Sequence, residues 1–264
     1  MSKTVYIDRV SFSAPGMVDW ESAQQILRSE QSYQPGELPL YQPGMLPPNE
    51  RRRASSTVRM AFRVAEAATR NSSIPASDLA TVFSSADGDL NIAQRICTAL
   101  AEPQRLISPT DFHNSVHNAA AGYWSIASLA RGPSTAIAAL DHGFAVGLME
   151  AVGMVLIEQQ PTLLVVYDVP APQPLLAKRP VQYPAGVGLL LTPAPTPDCL
   201  CSMHIENTDS VDSRMPDAQL ETLRLNNPAA RALPFLSLLA RDEDGVIVLQ
   251  MPHGNAALHL HMFR

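Results

Sequence analysis

Charged side chains are scarce. Asp, Glu, Lys and Arg make up 17% of the 264 residues, well below the roughly 25% usual in soluble domains. A surface so poor in charge is covered by something, either other parts of the chain or a partner. The formal net charge of −6 argues against a general nucleic-acid binder. Cysteine is scarce too: Cys97, Cys199 and Cys201 are an odd set. No secretory leader precedes the strand-like opening Val5-Tyr6-Ile7, so a reduced cytoplasm is the expected compartment. The most apolar stretch, Phe144 to Ile157, is interrupted by Glu150. It falls short of the ~18 residues of a spanning helix, so no membrane span is expected. Internal repeats, a G-x-S-x-G elbow, a Walker loop and a dinucleotide glycine fingerprint are all missing. At this length a chain buries roughly three quarters of its unfolded surface and needs no disulfide or metal staple.

Proline, by contrast, is abundant. Five of the 23 prolines lie between Pro35 and Pro48 and nine between Pro161 and Pro197, which predicts two long, stiff connections. Between them the pattern alternates. Val5–Val10 reads as a strand ended by Pro15-Gly16, and Asp19–Ser29 as a short helix. Asn49 is placed to cap a helix through Arg70 with Val58, Ala61, Phe62, Ala65 and Ala68 on one face. Leu79–Ser84 reads as a strand, Leu90–Leu100 as a helix and Ser108–Phe112 as a loop. Asn118 then opens an Ala-rich helix to Ala130. Gly132–Asp141 carries small and β-branched residues of a buried strand and turns into the apolar helix His142–Glu158. Leu163–Asp168 and Gly186–Thr192 are further buried strands. Cys201–Glu206, Val246–Leu249 and Ala257–Phe263 read as strands of a tail that also holds a helix. Strands apolar throughout, alternating with helices, predict an α/β sheet covered on both faces.

Four of these segments together resemble the N-terminal half of a β-ketoacyl synthase, the thiolase-fold condensing enzyme of fatty acid and polyketide synthesis. They are the opening strand; Arg51-Arg52-Arg53 ahead of an Ala-rich helix; Ser108-Pro109-Thr110-Asp111-Phe112 through Ser115-Val116-His117-Asn118-Ala119-Ala120-Ala121-Gly122; and Gly132-Pro133-Ser134 leading into strand, turn and helix. The last two are the specific ones. The resemblance covers about residues 1–192 and implies half of a thiolase fold, a mixed sheet with helices on both faces, and a short α+β tail. It divides the chain into a synthase-like domain, 1–197, and an extension, 198–264, packing on it.

The departures matter as much. In synthases the strand after Gly-Pro-Ser ends at a nucleophilic Cys at the N-terminus of a buried helix, where the helix dipole and amides favour the thiolate. Counted without gaps, that position is Asp141; a slip of one makes it Leu140 or His142. None is Cys. The plainer account of Asp141 is a helix N-cap. The two synthase histidines of the C-terminal half have no match in the 72 residues after Thr192; Met251-Pro252-His253-Gly254-Asn255-Ala256-Ala257 resembles one motif only superficially.

Relatives lacking the Cys are the chain-length factors, and short ones resemble the partner subunits of bacterial aryl polyene synthesis. The resemblance therefore implies a non-catalytic subunit paired with a full-length β-ketoacyl synthase. An acyl carrier protein would present its phosphopantetheine arm to that partner, and this chain would hold neither cofactor nor metal. Synthase dimers join sheets through the strand corresponding to Thr135–Ala139, which makes Thr135 and Ile137 interface candidates. Phe112, His113, Val116 and His117 match a loop that reaches the partner's acyl tunnel, although Phe112 and Val116 also suit a core and both histidines suit ordinary hydrogen bonding. Arg51, Arg52 and Arg53 are candidates for binding the acidic carrier protein, or a solvated helix start. Three other readings stay open: a hydrolase or decarboxylase using Asp141 with His142 or His117, a pure assembly scaffold, and a zinc site from Cys199-x-Cys201-x-x-His204 with Cys97.

Overall fold

The computed structural model describes residues 4–252 and 257–263. The chain opens with β1 (Thr4–Ser13) and α1 (Trp20–Leu27). Asp19 caps α1, accepting from the Ser22 amide at 2.9 Å while the Ser22 hydroxyl oxygen accepts from the Asp19 amide at 3.2 Å. Two helices follow the first proline-rich loop, α2 (Pro48–Arg53) and α3 (Ser56–Thr69). Then come β2 (Ala80–Ser84), α4 (Leu90–Ala101), α5 (Pro109–Asn114), α6 (Ala119–Ser128), β3 (Ser134–Ile137), α7 (Gly143–Ile157), β4 (Thr162–Asp168) and β5 (Ala185–Thr192). The tail supplies β6 (Cys201–Thr208), α8 (Ala218–Leu225), α9 (Leu233–Arg241), β7 (Gly245–Gln250) and β8 (Ala257–Phe263).

All eight strands join one mixed sheet in the order β3-β2-β4-β5-β1-β6-β8-β7. β2, β3 and β4 are parallel and the remaining neighbours antiparallel. β4 shows why the central strands are apolar throughout: Leu164 and Val166 enter the core beneath α7 and α9, while Leu163, Val165 and Tyr167 enter the core beneath α3 and α6. The far strands differ. Cys201, Met203, Leu258, Leu260 and Met262 face the first core, and the alternate residues of β6 and β8 point the other way and, apart from the buried Ala257, are polar or half-exposed.

Several expectations need correction. The helix opened by Asn49 is two helices, because Ser55 caps α3 afresh by accepting from the Val58 amide. Arg51–Arg53 thus fall in the last turn of α2, where the helix dipole favours cations. The loop Ser108–Phe112 begins a helix instead: the Ser108 hydroxyl accepts from the Asp111 amide at 3.3 Å and Pro109 fills the first turn, a helix-start signature visible in the residues. Asn118 precedes α6 but makes no side-chain cap. β3 is not buried; it is an edge strand whose residues are exposed or half-buried, with no strand paired on its outer side among the described residues. The apolar run, counted from Leu140, reaches 18 residues with mean hydropathy 1.5, half of them buried; it packs on β2 and β4 as a core helix.

Candidate functional site

The two edges of the sheet are treated differently. β7 is covered by the loop between β6 and α8: the Ser213 amide donates to Val248 O at 2.9 Å, and the Val248 and Gln250 amides donate to Ser213 and Asp212 side chains. β3 is bare. Thr81 N–H donates to Pro133 O and Ser85 N–H to Ile137 O, so residues 133, 135 and 137 turn their backbone groups towards β2. The alternate residues Ser134, Ala136 and Ala138 therefore aim N–H and C=O outwards, and no backbone hydrogen bond reaches that side among the described residues. Unprotected edges are pairing surfaces.

β3 runs straight into the elbow. Leu140 takes φ +47°, a left-handed conformation costing a non-glycine residue roughly 1–2 kcal/mol, and its side chain is 56% exposed. A 3-10 turn, Leu140–His142, then leads into α7. The helix can start here because it lies almost on the sheet. Ser84 Oγ donates to Gly143 O at 2.9 Å, and a Cβ on Gly147 would come within 3.0 Å of Leu164. Phe144, fully buried, packs against Phe235 of α9 with ring centroids 5.6 Å apart.

Asp141 is exposed and held by charge. Its Oδ1 lies 3.3 Å from Arg179 Nη2, and Arg179 Nε lies 2.7 Å from Asp87 Oδ2. His142 Nδ1 is 3.0 Å from Gln250 O and His117 Nε2 is 3.0 Å from Ser85 O. Each imidazole thus meets a backbone carbonyl through one ring nitrogen and Asp141 meets an arginine, and no hydrogen bond joins the three to one another among the described residues. The cavity beside them, lined by Asp141, His142, Asp212 and Arg231 among others, holds about 130 Å³.

One carboxyl behind the elbow was not singled out from sequence. Asp168 ends β4, buried, accepting from Ser85 Oγ at 3.0 Å and from the Ala86 amide at 2.8 Å. Burial pushes its pKa up to about 8 against the pull of those two bonds. The folded protein therefore keeps a proton that the unfolded chain releases above about pH 4. Stability from this group falls as pH rises, by about 1.4 kcal/mol per unit, until the folded pKa is passed. Asp168→Asn preserves the acceptor and removes the titration. Between pH 6 and 8 the variant is expected to lose about 2 kcal/mol less than the wild type, read from urea midpoints at the two pH values; equal losses would show Asp168 to be ionised throughout.

The remaining sequence candidates fall on neighbouring elements. Phe112 of α5 is 69% exposed and Val116 54% exposed. His113 stands edge-on to Tyr123 with centroids 6.2 Å apart. Thr135 Oγ1 lies 3.5 Å from Glu150 of α7, and Ile137 packs against the core. Further exposed apolar residues join them on α6, the elbow and α7: Ile126, Leu129, Leu140, Met149 and Ile157. Arg51 donates to the Gly44 and Leu46 carbonyls, whereas Arg52 and Arg53 are exposed. The cysteine set does not assemble. Cys97 is exposed on α4, Cys201 lies in the core, and His204, three residues on, faces away from Cys201 towards Glu206. His253 to Ala256 lie outside the described residues.

No curated protein sequence matches the chain. Among solved structures, a chain from the complex of a ketosynthase with its chain length factor from Xenorhabdus doucetiae is 25% identical, with 99% of each chain covered and a TM-score of 0.72. A chain of the ishigamide ketosynthase/chain length factor is 13% identical over 98% of this chain and 99% of that one, with TM-score 0.75. Ketosynthase twelve of the bacillaene synthase from Bacillus amyloliquefaciens is 13% identical at TM-score 0.56, and there 84% of this chain covers only 49% of the other. The chain thus has the thiolase-like ketosynthase fold, at nearly the full length of the first two chains and half that of the third. The family model for the beta-ketoacyl synthase N-terminal domain matches residues 18–246, and the chain belongs to that family.

Proposed function

We propose that this chain is a chain-length factor: a non-catalytic subunit that pairs with a full-length ketosynthase and forms part of the tunnel in which the acyl chain grows. The observation that carries the reading is the end-to-end likeness to a chain of the Xenorhabdus complex, covering 99% of both. Two features of this chain support it. The elbow holds Leu140 and Asp141 and no Cys; all three cysteines lie elsewhere. The strand that leads to the elbow has an open edge flanked by exposed apolar residues, suited to an obligate interface of more than about 2,000 Å². The partner supplies the nucleophilic Cys and receives the phosphopantetheine arm of an acyl carrier protein. Arg52 and Arg53 are the groups available to that carrier's acidic surface. The setting is polyketide synthesis of the aryl polyene kind, in the cytoplasm. The division at 197/198 belongs to the same proposal: residues 198–264 add three strands and two helices to the free side of β1.

Affinity purification of the tagged chain from its native host, followed by mass spectrometry, tests the pairing. A stoichiometric, full-length ketosynthase is the expected companion, and a chain recovered alone and monodisperse would sink the reading. Tunnel contact is tested separately. Phe112→Ala removes a bulky exposed ring, and the product of the reconstituted complex is expected to shift to longer chains by mass spectrometry. An unchanged length distribution counts against Phe112. If interface substitutions weaken the complex and never alter product length, the chain is an assembly scaffold.

A further inference from the structure

The outward face of β6 and β8 carries an unusual set of side chains. In the antiparallel register His204 stands opposite His261, and Glu206 stands opposite His259. All four therefore project from one face, the face turned away from Cys201, Met203, Leu258 and Leu260. Glu206 Oε1 lies 3.1 Å from His204 Nε2, and Glu206 Oε2 lies 4.0 Å from His261 Nε2. The rings of His259 and His261 are 4.4 Å apart between centroids. One ligand atom from each of Glu206, His259 and His261 falls within 4.8 Å of the other two, and both histidines are half-buried.

Three imidazoles around a single carboxylate are a poor salt-bridge arrangement. Protonating all three would set like charges side by side against one anion, whereas as neutral imidazoles His259 and His261 each offer a lone pair close to the Glu206 carboxylate. That donor set, nitrogen with one oxygen, suits zinc rather than calcium or magnesium, which take oxygen alone. Tetrahedral zinc at about 2.0–2.1 Å from each donor requires donors roughly 3.3 Å apart. The donors of Glu206, His259 and His261, within 4.8 Å of one another, must close by about 1.5 Å at most, a movement that partly exposed side chains make by rotation about χ1 and χ2.

We propose that Glu206, His259 and His261 bind one zinc ion, with the fourth position left to water, and that the ion clamps strand β8 onto β6. This site is independent of the chain-length-factor reading. Its ligands come from two strands about 55 residues apart, so binding is linked to formation of this end of the sheet.

The test uses the full chain with every affinity tag removed. Calorimetric titration with zinc chloride is expected to give one saturable site per chain and a higher melting temperature. His259→Gln and His261→Gln are each expected to weaken binding by at least about tenfold, while Cys199→Ser and Cys201→Ser leave it unchanged. Should a histidine variant fail to fold, cobalt(II) added to the wild type decides the question. The expected spectrum has visible d–d bands and no thiolate charge-transfer band in the near ultraviolet. Absence of saturable binding, binding that survives the double histidine variant, or a thiolate band would each overturn the proposal.

Discussion

Ala136→Pro is expected to abolish recovery of the proposed ketosynthase partner while leaving the isolated chain folded. Proline removes one backbone N–H, and at position 136 that group points away from β2, since the inward groups of β3 belong to residues 133, 135 and 137. The ladder to β2 is therefore kept, and edge strands accept proline on their outer side. The proline ring restricts Thr135 to extended conformations, which it already has. A strand arriving from a partner would lose a hydrogen bond at the middle of the junction and meet the ring as well. Co-purification should fall to background, with circular dichroism and melting temperature of the lone chain close to wild type. Retained partner in normal stoichiometry would show that the sheets do not join through β3. Ala136→Gly serves as the control that alters the side chain and keeps the donor.

The largest loss of stability is expected at Phe144. Its ring is fully buried in the first turn of α7 and tilts against Phe235 in the tail. Phe144→Ala removes that contact and leaves a cavity between the elbow helix and α9, which costs about 3–5 kcal/mol. That is a large part of the 5–15 kcal/mol typical of a folded domain; at roughly 2–4 °C per kcal/mol the melting temperature should fall by about 10 °C. Phe144→Leu keeps most of the volume and should cost about 1 kcal/mol. A drop of only a degree or two for Phe144→Ala would mean that α9 does not pack on the elbow as described.

What could be read from the sequence was local or strongly apolar. The runs at 80–84, 162–168 and 185–192 became β2, β4 and β5 with their ends within two residues of expectation, because a strand buried on both faces leaves a continuous apolar signature. α3 buries all five residues assigned to its inner face. The misses have physical causes. Small, β-branched residues in β3 look like an interior strand, and only the sheet order shows it to be the edge. α5 announced itself through Ser108-Pro109, a capping signal overshadowed by the loop-like composition around it. The elbow's ion chain needs Arg179 to reach Asp87, 92 residues back, and Asp141, 38 back; no spacing rule connects them. The same holds for the four-residue grid on β6 and β8. His259-Leu260-His261 is visible as an alternating pair, but Glu206 and His204 join it only through the register of two strands, whereas Cys201 nearby faces the core.

The place of β1 in the sheet has a consequence for synthesis. Both of its neighbours come from far downstream: Tyr6 pairs with Thr192 and Thr4 with His204. On a ribosome adding about 5–20 residues per second, the first strand waits roughly 10–40 s before either flank exists. During that time Val5, Ile7 and Phe12 have no strand on either side and only the helices α1, α3 and α7 to cover them, while the parallel β2, β3 and β4 can already associate. The strand that is made first is thus among the last to be enclosed, and it joins the early-made part of the sheet to the late-made part. Translation speed in the stretch before Thr192 then bears on the yield of native protein alongside the contacts of the finished fold.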